Sequence, residues 1–258
     1  MDSGLGGLSV ARVLQRTLPH EDLIFVGDQG HFPYGVRSQE SVRRLSLAIG
    51  AFLEKQDAKM MVIACNTATA AALPALQARL AIPVIGMINP GVKAALALPG
   101  LKRVGVIATT GTIKAGAYQA ALKQAAPSLA VTAAAPQALV SIVEGHQTGT
   151  AAAQAAVDRE LASFKEQPVD ALILGCTHFP FLAPEIAQTL PGTTLVDPAV
   201  EAVAAAKDWL ERHEALNDNG GRLTLYTTGH IADLKQGAEQ WLQKAPATYH
   251  QLELEADE

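Results

Sequence analysis

An α/β fold made of two parallel-sheet domains is what this sequence predicts, and three observations predict it. Short apolar runs alternate with longer Ala/Leu-rich segments at helical spacing. Several of the short runs are apolar throughout, as strands covered by helices on both faces are. The same succession of elements also occurs twice along the 258 residues.

Taken in order, the chain opens with "MDSGLGGLSV", a glycine-dense turn of the kind that follows a strand and leads into a helix. Only Met1 stands ahead of it, so a strand before Asp2 is expected and is absent from the sequence. Leu8 to Leu18 reads as a helix and Leu23 to Val26 as a strand; "GDQGHFPYGVRS" follows as a long polar loop. Ser38 to Gln56 is the next helix and Met60 to Ala64 the next strand. Leu73-Pro74 should end one helix and begin another, because proline suits a first turn and not an interior. The remaining predicted strands are Pro83 to Gly86, Arg103 to Ala108, Leu129 to Ala133, Ala171 to Leu174, Thr194 to Val196 and Arg222 to Thr227, with helices over Thr150 to Gln167 and Val200 to His213.

The repeat is visible around the two cysteines. "MMVIACNTATAAALPALQ" followed by "IPVIGMINP" matches "DALILGCTHFPFLAPEIA" followed by "TTLVDPA": strand, Cys, polar residues, helix, strand, then a proline-bearing loop. The cysteines are about 110 residues apart, the length of one small α/β domain. Upstream, "KRVGVIATTGTIKAGAY" is the second-half counterpart of "MDSGLGG" and carries the strand that the first half lacks.

Composition narrows the function classes. At 49% hydrophobic and 17% charged the chain is globular, and its length suits one large domain or two moderate ones. A formal charge of -5 without clustered Lys and Arg argues against direct nucleic-acid binding, which needs cations for phosphate. No apolar run approaches the ~18 to 20 residues of a membrane span, and no basic-then-apolar leader opens the chain, so a cytoplasmic protein is expected. In that compartment two cysteines are free thiols rather than a disulfide, and two are too few for a thiolate zinc site without help.

Cys65 and Cys176 each sit where a strand gives way to a helix, the position at which α/β proteins place their sites. A helix N-terminus stabilises thiolate, so a lowered thiol pKa is expected. Each Cys alone could be a small buried hydrophobe; two in matching polar settings call for a joint role. A redox pair would normally lie within one short segment, and His178 beside Cys176 lacks the spacing of a zinc motif. The third possibility is a pair of acid/base groups on opposite faces of one substrate, as racemisation requires. Asp2 and His178 are natural auxiliaries, although each could be a turn or cap residue. Asn66, Thr67, Thr109, Thr112 and Thr177 are helix-start or turn residues able to hold carboxylates, with capping as the plain alternative. Pro33, Tyr34 and Gly35 could be an ordinary turn or could close a loop over a small acid. Glu144 ends an apolar helix, an electrostatically unfavourable place for an acid. Nucleotide motifs are weak: "GLGGLS" gives G-x-G-x-x-S, and there is no P-loop.

The chain resembles the cofactor-independent glutamate racemases over nearly its whole length, through "DSGLGGLSV", "GDQGHFPYG", "ACNTATA", "PVIGMINPG", "ATTGT", "LVSIVEG", "LGCTHFPFL", "VDPA" and "LYTTGH". The resemblance implies two pseudo-symmetric flavodoxin-like domains, residues 1–89 with 200–258 and residues 90–199, with glutamate held between them. It implies interconversion of L- and D-glutamate for peptidoglycan, without cofactor or metal, by a homodimer. Cys65 would act on the α-proton of D-glutamate and Cys176 on that of L-glutamate, assisted by Asp2 and His178 respectively, with Glu144 a further family acid. Ser3, Pro33, Tyr34, Gly35, Asn66, Thr67, Thr109, Thr112 and Thr177 would bind glutamate. Two other readings stay open: a glutamate-binding regulator or partner-binding protein without turnover, and a racemase of another small amino acid such as aspartate.

Overall fold

The computed structural model describes residues 1–242 and 248–254, and it shows parallel sheets covered by helices. Four strands form one sheet: β4 (Arg103–Ala108), β5 (Ala130–Ala134), β6 (Ala171–Gly175) and β7 (Thr194–Val196), ordered β5-β4-β6-β7 and parallel throughout. The second strand of the unit lies outside the first and the chain then crosses back, so the order reverses between β4 and β6. That switch point is where open α/β sheets make their ligand crevice. Thr109 follows β4 and Cys176 follows β6, so the topology sets both at the crevice.

The first half repeats this plan with one abbreviated member. β1 (Leu23–Gly27) pairs in parallel with β8 (Leu223–Thr227), which pairs with β9 (Thr248–Gln251); β2 (Met61–Val62) pairs with β3 (Val84–Ile85). Met1 and Asp2 join the two groups. The Asp2 N–H donates to the Val26 carbonyl at 2.9 Å and Asp28 N–H to the Asp2 carbonyl at 2.9 Å, while Ala64 N–H donates to the Met1 carbonyl at 2.9 Å and the Met1 ammonium to the Val62 carbonyl at 2.8 Å. Two residues therefore occupy the place, between β1 and β2, that β4 fills in the other sheet. A cavity of about 600 Å³ runs between Leu23–Phe25 and Met60–Val62, walled by Val10, Ala11, Leu14 and Leu53.

The helices follow from local chemistry. α1 (Leu8–Thr17) follows the opening turn; α2 (Gln39–Lys55) begins at Ser38, whose side chain accepts the Ser41 N–H. α3 (Asn66–Arg79) runs straight through Leu73-Pro74, where a break was expected. Pro74 lies on the exposed side, while Ala71, Ala72 and Leu76 on either side of it are buried, and that apolar face holds the helix despite a proline cost of about 3 kcal/mol. α4 (Ile88–Leu96), α5 (Thr110–Ala115), α6 (Ala117–Ala125) and α7 (Ala138–Glu144) lead to the segment expected as one helix over 150–167. It divides at the fully buried Leu161 into α8 (Ala151–Glu160) and α9 (Ala162–Glu166). α10 (Ala183–Thr189) precedes α11 (Pro198–Arg212), which starts two residues earlier than its apolar pattern because Asp197 caps it and Pro198 occupies its first turn. α12 (Ile231–Trp241) and β9 were not anticipated. No described helix is long and apolar enough to cross a membrane.

The sheets meet end to end. One buried cluster contains Leu5, Leu8 and Phe25 of the first half together with Ile107, Leu139, Phe164 and Phe179 of the second. The carboxyl ends of both sheets consequently face a shared interior.

Candidate active site

The two cysteines reach that interior from opposite sheets. Cys65 is the residue that caps α3: its backbone is extended, and its sulfur accepts the Ala68 N–H at 3.4 Å. The Cys65 thiol also lies 3.8 Å from the Ser3 hydroxyl, to which it donates. Cys176 follows β6, with its sulfur 3.5 Å from His178 Nδ1. Both are buried, at 5% exposure.

Their electrostatic settings differ. Burial pushes the Cys65 thiol up to about 12, reinforced by the Asp2 carboxylate, and the cap N–H of Ala68 and the Ser3 hydroxyl offset this only in part. The lowered pKa expected from the helix N-terminus is thereby corrected: one cap N–H does not outweigh desolvation at a site shut off from water. Cys176 has a cation beside it instead. Burial alone would lower the pKa of His178, yet the Cys176 sulfur and the Glu144 carboxylate together raise it to about 10. His178 Nε2 donates to Glu144 Oε1 at 2.6 Å, and the same oxygen accepts the Leu5 N–H at 3.2 Å. The acid at the end of α7 is therefore the second partner of the buried histidine.

Asp2 is wholly buried beside these groups, and burial raises its pKa against the opposing pull of His178 and of the Gly4 and Gly7 N–H groups. Its side chain accepts the Gly4 N–H at 3.1 Å and the Thr177 hydroxyl at 3.2 Å. Its hydrogen bonds thus run toward the Cys176 side, while it touches Cys65 only through its charge. The opening turn can come this close because Gly6 has no side chain: a Cβ there would collide with Thr177 Oγ1 and His178.

A small cavity joins Ser3, Pro33, Tyr34, Gly35, Cys65, Asn66, Thr67, Thr109, Cys176, Thr177 and His178. Asp2, Glu144 and Thr112 stand behind this wall. Thr67, Thr109 and Thr112 form a closed triangle of hydroxyls, 2.8, 3.1 and 3.0 Å apart, and Thr109 also caps α5, so the capping and site-lining readings of Thr109 both hold. Tyr34 lines the cavity with its ring, but its hydroxyl turns away to donate to Asp28 at 2.5 Å. Burial and Asp28 raise the pKa of that phenol, which keeps it a donor. Gly35 lies against the second half so closely that a Cβ would stand 2.7 Å from Thr109 Cβ.

Phe32, Gln137, Val140 and Gly175 also line the cavity and were not anticipated. Gln137 and Val140 come just after β5, at the carboxyl end of a strand, so the rule that pointed to the cysteines also covers them. Phe32 and Gly175 adjoin residues that were anticipated.

Two buried thiols, each at the end of a different strand, thus line one small crevice together with a histidine, the kind of groups that give and take protons. Residues 7–206 match the Asp/Glu/Hydantoin racemase family, and the chain belongs to that family. It is 60% identical over 244 residues to the glutamate racemase of Limosilactobacillus fermentum, covering 94% of this chain and 91% of that one. With the glutamate racemase of Limosilactobacillus reuteri it shares 54% identity over 256 residues, covering 98% and 96%. Among solved structures, a glutamate racemase isoform from Bacillus anthracis superposes with a TM-score of 0.93 at 37% identity, covering 98% and 96% of the two chains. The glutamate racemase of Francisella tularensis in complex with D-glutamate does so with a TM-score of 0.92 at 31% identity, covering 99% and 97%. The two flavodoxin-like units expected from the sequence are the fold of this family.

Proposed function

We infer that this protein is a glutamate racemase, interconverting L- and D-glutamate, and that it works through two bases, Cys65 and Cys176. The observation that carries the two-base reading is the pair of buried thiols entering one small cavity from the ends of two different sheets. The kinship with enzymes named as glutamate racemases supports glutamate over aspartate and turnover over mere binding.

In this reading Cys65, whose buried thiol holds its proton, is the donor for L-glutamate, and Cys176, with the His178 imidazolium beside it, is the base. Cys176 then removes the α-proton of L-glutamate while the Cys65 thiol delivers its proton to the opposite face. The product is D-glutamate, with Cys65 left as thiolate and Cys176 as thiol; a D-glutamate molecule restores the first state by the reverse transfers. The α-hydrogen is a far weaker acid than a thiol, so the enolate-like charge must be met by fixed donors in a closed site. The donors this reading assigns are Asn66, Thr67 and Thr109 and the first N–H groups of α3 and α5, with Thr177 turning its hydroxyl proton from Asp2 to the substrate. Glu144 orients His178, and Asp2 disfavours a permanent charge on Cys65. The D-glutamate would supply peptidoglycan synthesis.

The division into residues 1–89 with 200–258 and residues 90–199 belongs to the same proposal and is supported by the pairing of β1 with β8. A homodimer in the cytoplasm is part of it as well, and sedimentation analysis of the purified protein tests the assembly.

The deciding experiment follows the circular dichroism of an L-glutamate solution. It should decay to zero with the wild-type protein, and solvent deuterium should appear on the α-carbon of the D-product. Cys65→Ala and Cys176→Ala should each abolish the decay, and undiminished turnover in either variant overturns the two-base scheme.

A further inference from the structure

Asn66 is the first residue of α3, and its side chain is 4% exposed and lines the cavity. Its Oδ1 accepts a hydrogen bond at 2.7 Å from the hydroxyl of Tyr118, a residue of α6 in the other half of the molecule. Tyr118 is completely buried, and among the described residues this is the only hydrogen bond its hydroxyl makes. A buried phenol has a single proton to give and loses stability if it gives it to nothing. Burial also raises its pKa, with Asp197 and Cys176 adding to the effect, so it remains a donor at every working pH.

The consequence lies in the symmetry of an amide group. Asparagine has one accepting and one donating end, and a half-turn about its last bond exchanges them. With Oδ1 held by Tyr118, Nδ2 is the end left to the cavity, and no described protein group accepts from it. Both of its protons are then available to an acceptor. A carboxylate suits them, whereas a flipped amide would present its oxygen and repel the same carboxylate.

We propose that Tyr118 is a positioning residue for the racemase reaction: through its hydroxyl it locks the Asn66 amide with Nδ2 toward the cavity, as a donor to a substrate carboxylate. The proposal rests on the glutamate racemase reading of the site. Because the two residues come from different halves, the lock forms only when the halves are seated together. Gly175 permits the close approach, since a Cβ there would lie 3.0 Å from the Tyr118 ring.

The test is a double-mutant cycle on the full-length protein, measured with both enantiomers. Tyr118→Phe removes only the oxygen. It should raise KM for L- and D-glutamate about 3- to 10-fold, the worth of one neutral hydrogen bond, and change kcat by less than about twofold. Asn66→Ala should reduce kcat/KM at least as much, and adding Tyr118→Phe to Asn66→Ala should cost nothing further. Multiplying losses in the double variant overturn the proposal, because Tyr118 would then act through some other group. Asn66→Asp supplies a second arm that keeps an acceptor for Tyr118 but gives the substrate no donor. It should fold like the wild type, with KM raised at least as much as in Asn66→Ala, since its carboxylate also repels that of the substrate; wild-type KM there overturns the donor role. If Asn66→Ala leaves kcat/KM untouched while Cys65→Ala still abolishes turnover, the site reading survives and the Tyr118 proposal falls. Loss of the proposal is thereby distinguished from loss of the enzyme assignment, which only the cysteine variants address.

Discussion

The individual residues of the site do different work from what their neighbours in sequence suggest. Cys65 stands at a helix start, and the usual inference is a reactive thiolate; burial and the Asp2 carboxylate reverse it. His178 shows the opposite balance. Burial opposes its charge, yet a sulfur on one ring nitrogen and Glu144 on the other hold the proton. This has a consequence for stability. A histidine whose folded pKa is raised from 6.5 to about 10 stabilises the fold fully below 6.5, and that contribution is lost as pH rises through about 10. Between those values the folded state holds this proton and the unfolded one does not, so the histidine's own contribution falls with increasing pH. Urea unfolding at pH 7 and pH 9.5 should show this decline in the wild type and a shallower one in His178→Asn. Equal slopes in the two proteins would mean that His178 is neutral when folded.

At the scale of elements, the crevice depends on loops from one half touching helix starts of the other. The 3-10 turn at Tyr34–Val36 is seated on the Thr109 cap of α5, and Gly35 is the point of contact. A methyl group at that point stands 2.7 Å from Thr109 Cβ and must push the loop away. Gly35→Ala should therefore lower kcat/KM on the order of 100-fold, as displacements of about 1 Å in a site can. Its unfolding midpoint should correspond to a loss of no more than about 1–3 kcal/mol. Wild-type kcat/KM in this variant would show that the loop has room to spare. Much of this was legible beforehand. The turn residues around Gly35 mark a loop, and the strands from β1 to β8 lie within a residue or two of their predicted places. What escaped had physical reasons. Pro74 is tolerated because tertiary burial on both sides of it outweighs local propensity, which a sequence window cannot weigh. The partner of Asn66 lies 52 residues away on another helix, and a tyrosine in an Ala-rich segment carries no local sign of it.

The whole molecule encloses its chemistry tightly. The cavity between the cysteines is about 10 Å³, room for about one water molecule, far below the roughly 300 Å³ at which ligand pockets for small organic molecules begin. Glutamate cannot enter until the cavity widens, and where the two halves meet the buried cluster that joins Leu5 and Phe25 to Leu139 and Phe179 resists that widening. The chain has only two cysteines, and both lie at this cavity, so their alkylation reports the opening directly. Iodoacetamide at pH 8 should modify the native protein at least about 100-fold more slowly than the urea-unfolded chain, since reaction is confined to the small population of open molecules. Mass mapping should find Cys176, with its neighbouring imidazolium, modified ahead of Cys65. Saturating glutamate should slow both reactions further, because it binds the folded, closed form and draws the population toward it. Native rates equal to those of the unfolded chain would mean that the cleft stands open in solution. Prior modification of Cys65 would reverse the roles of base and donor given to the two thiols.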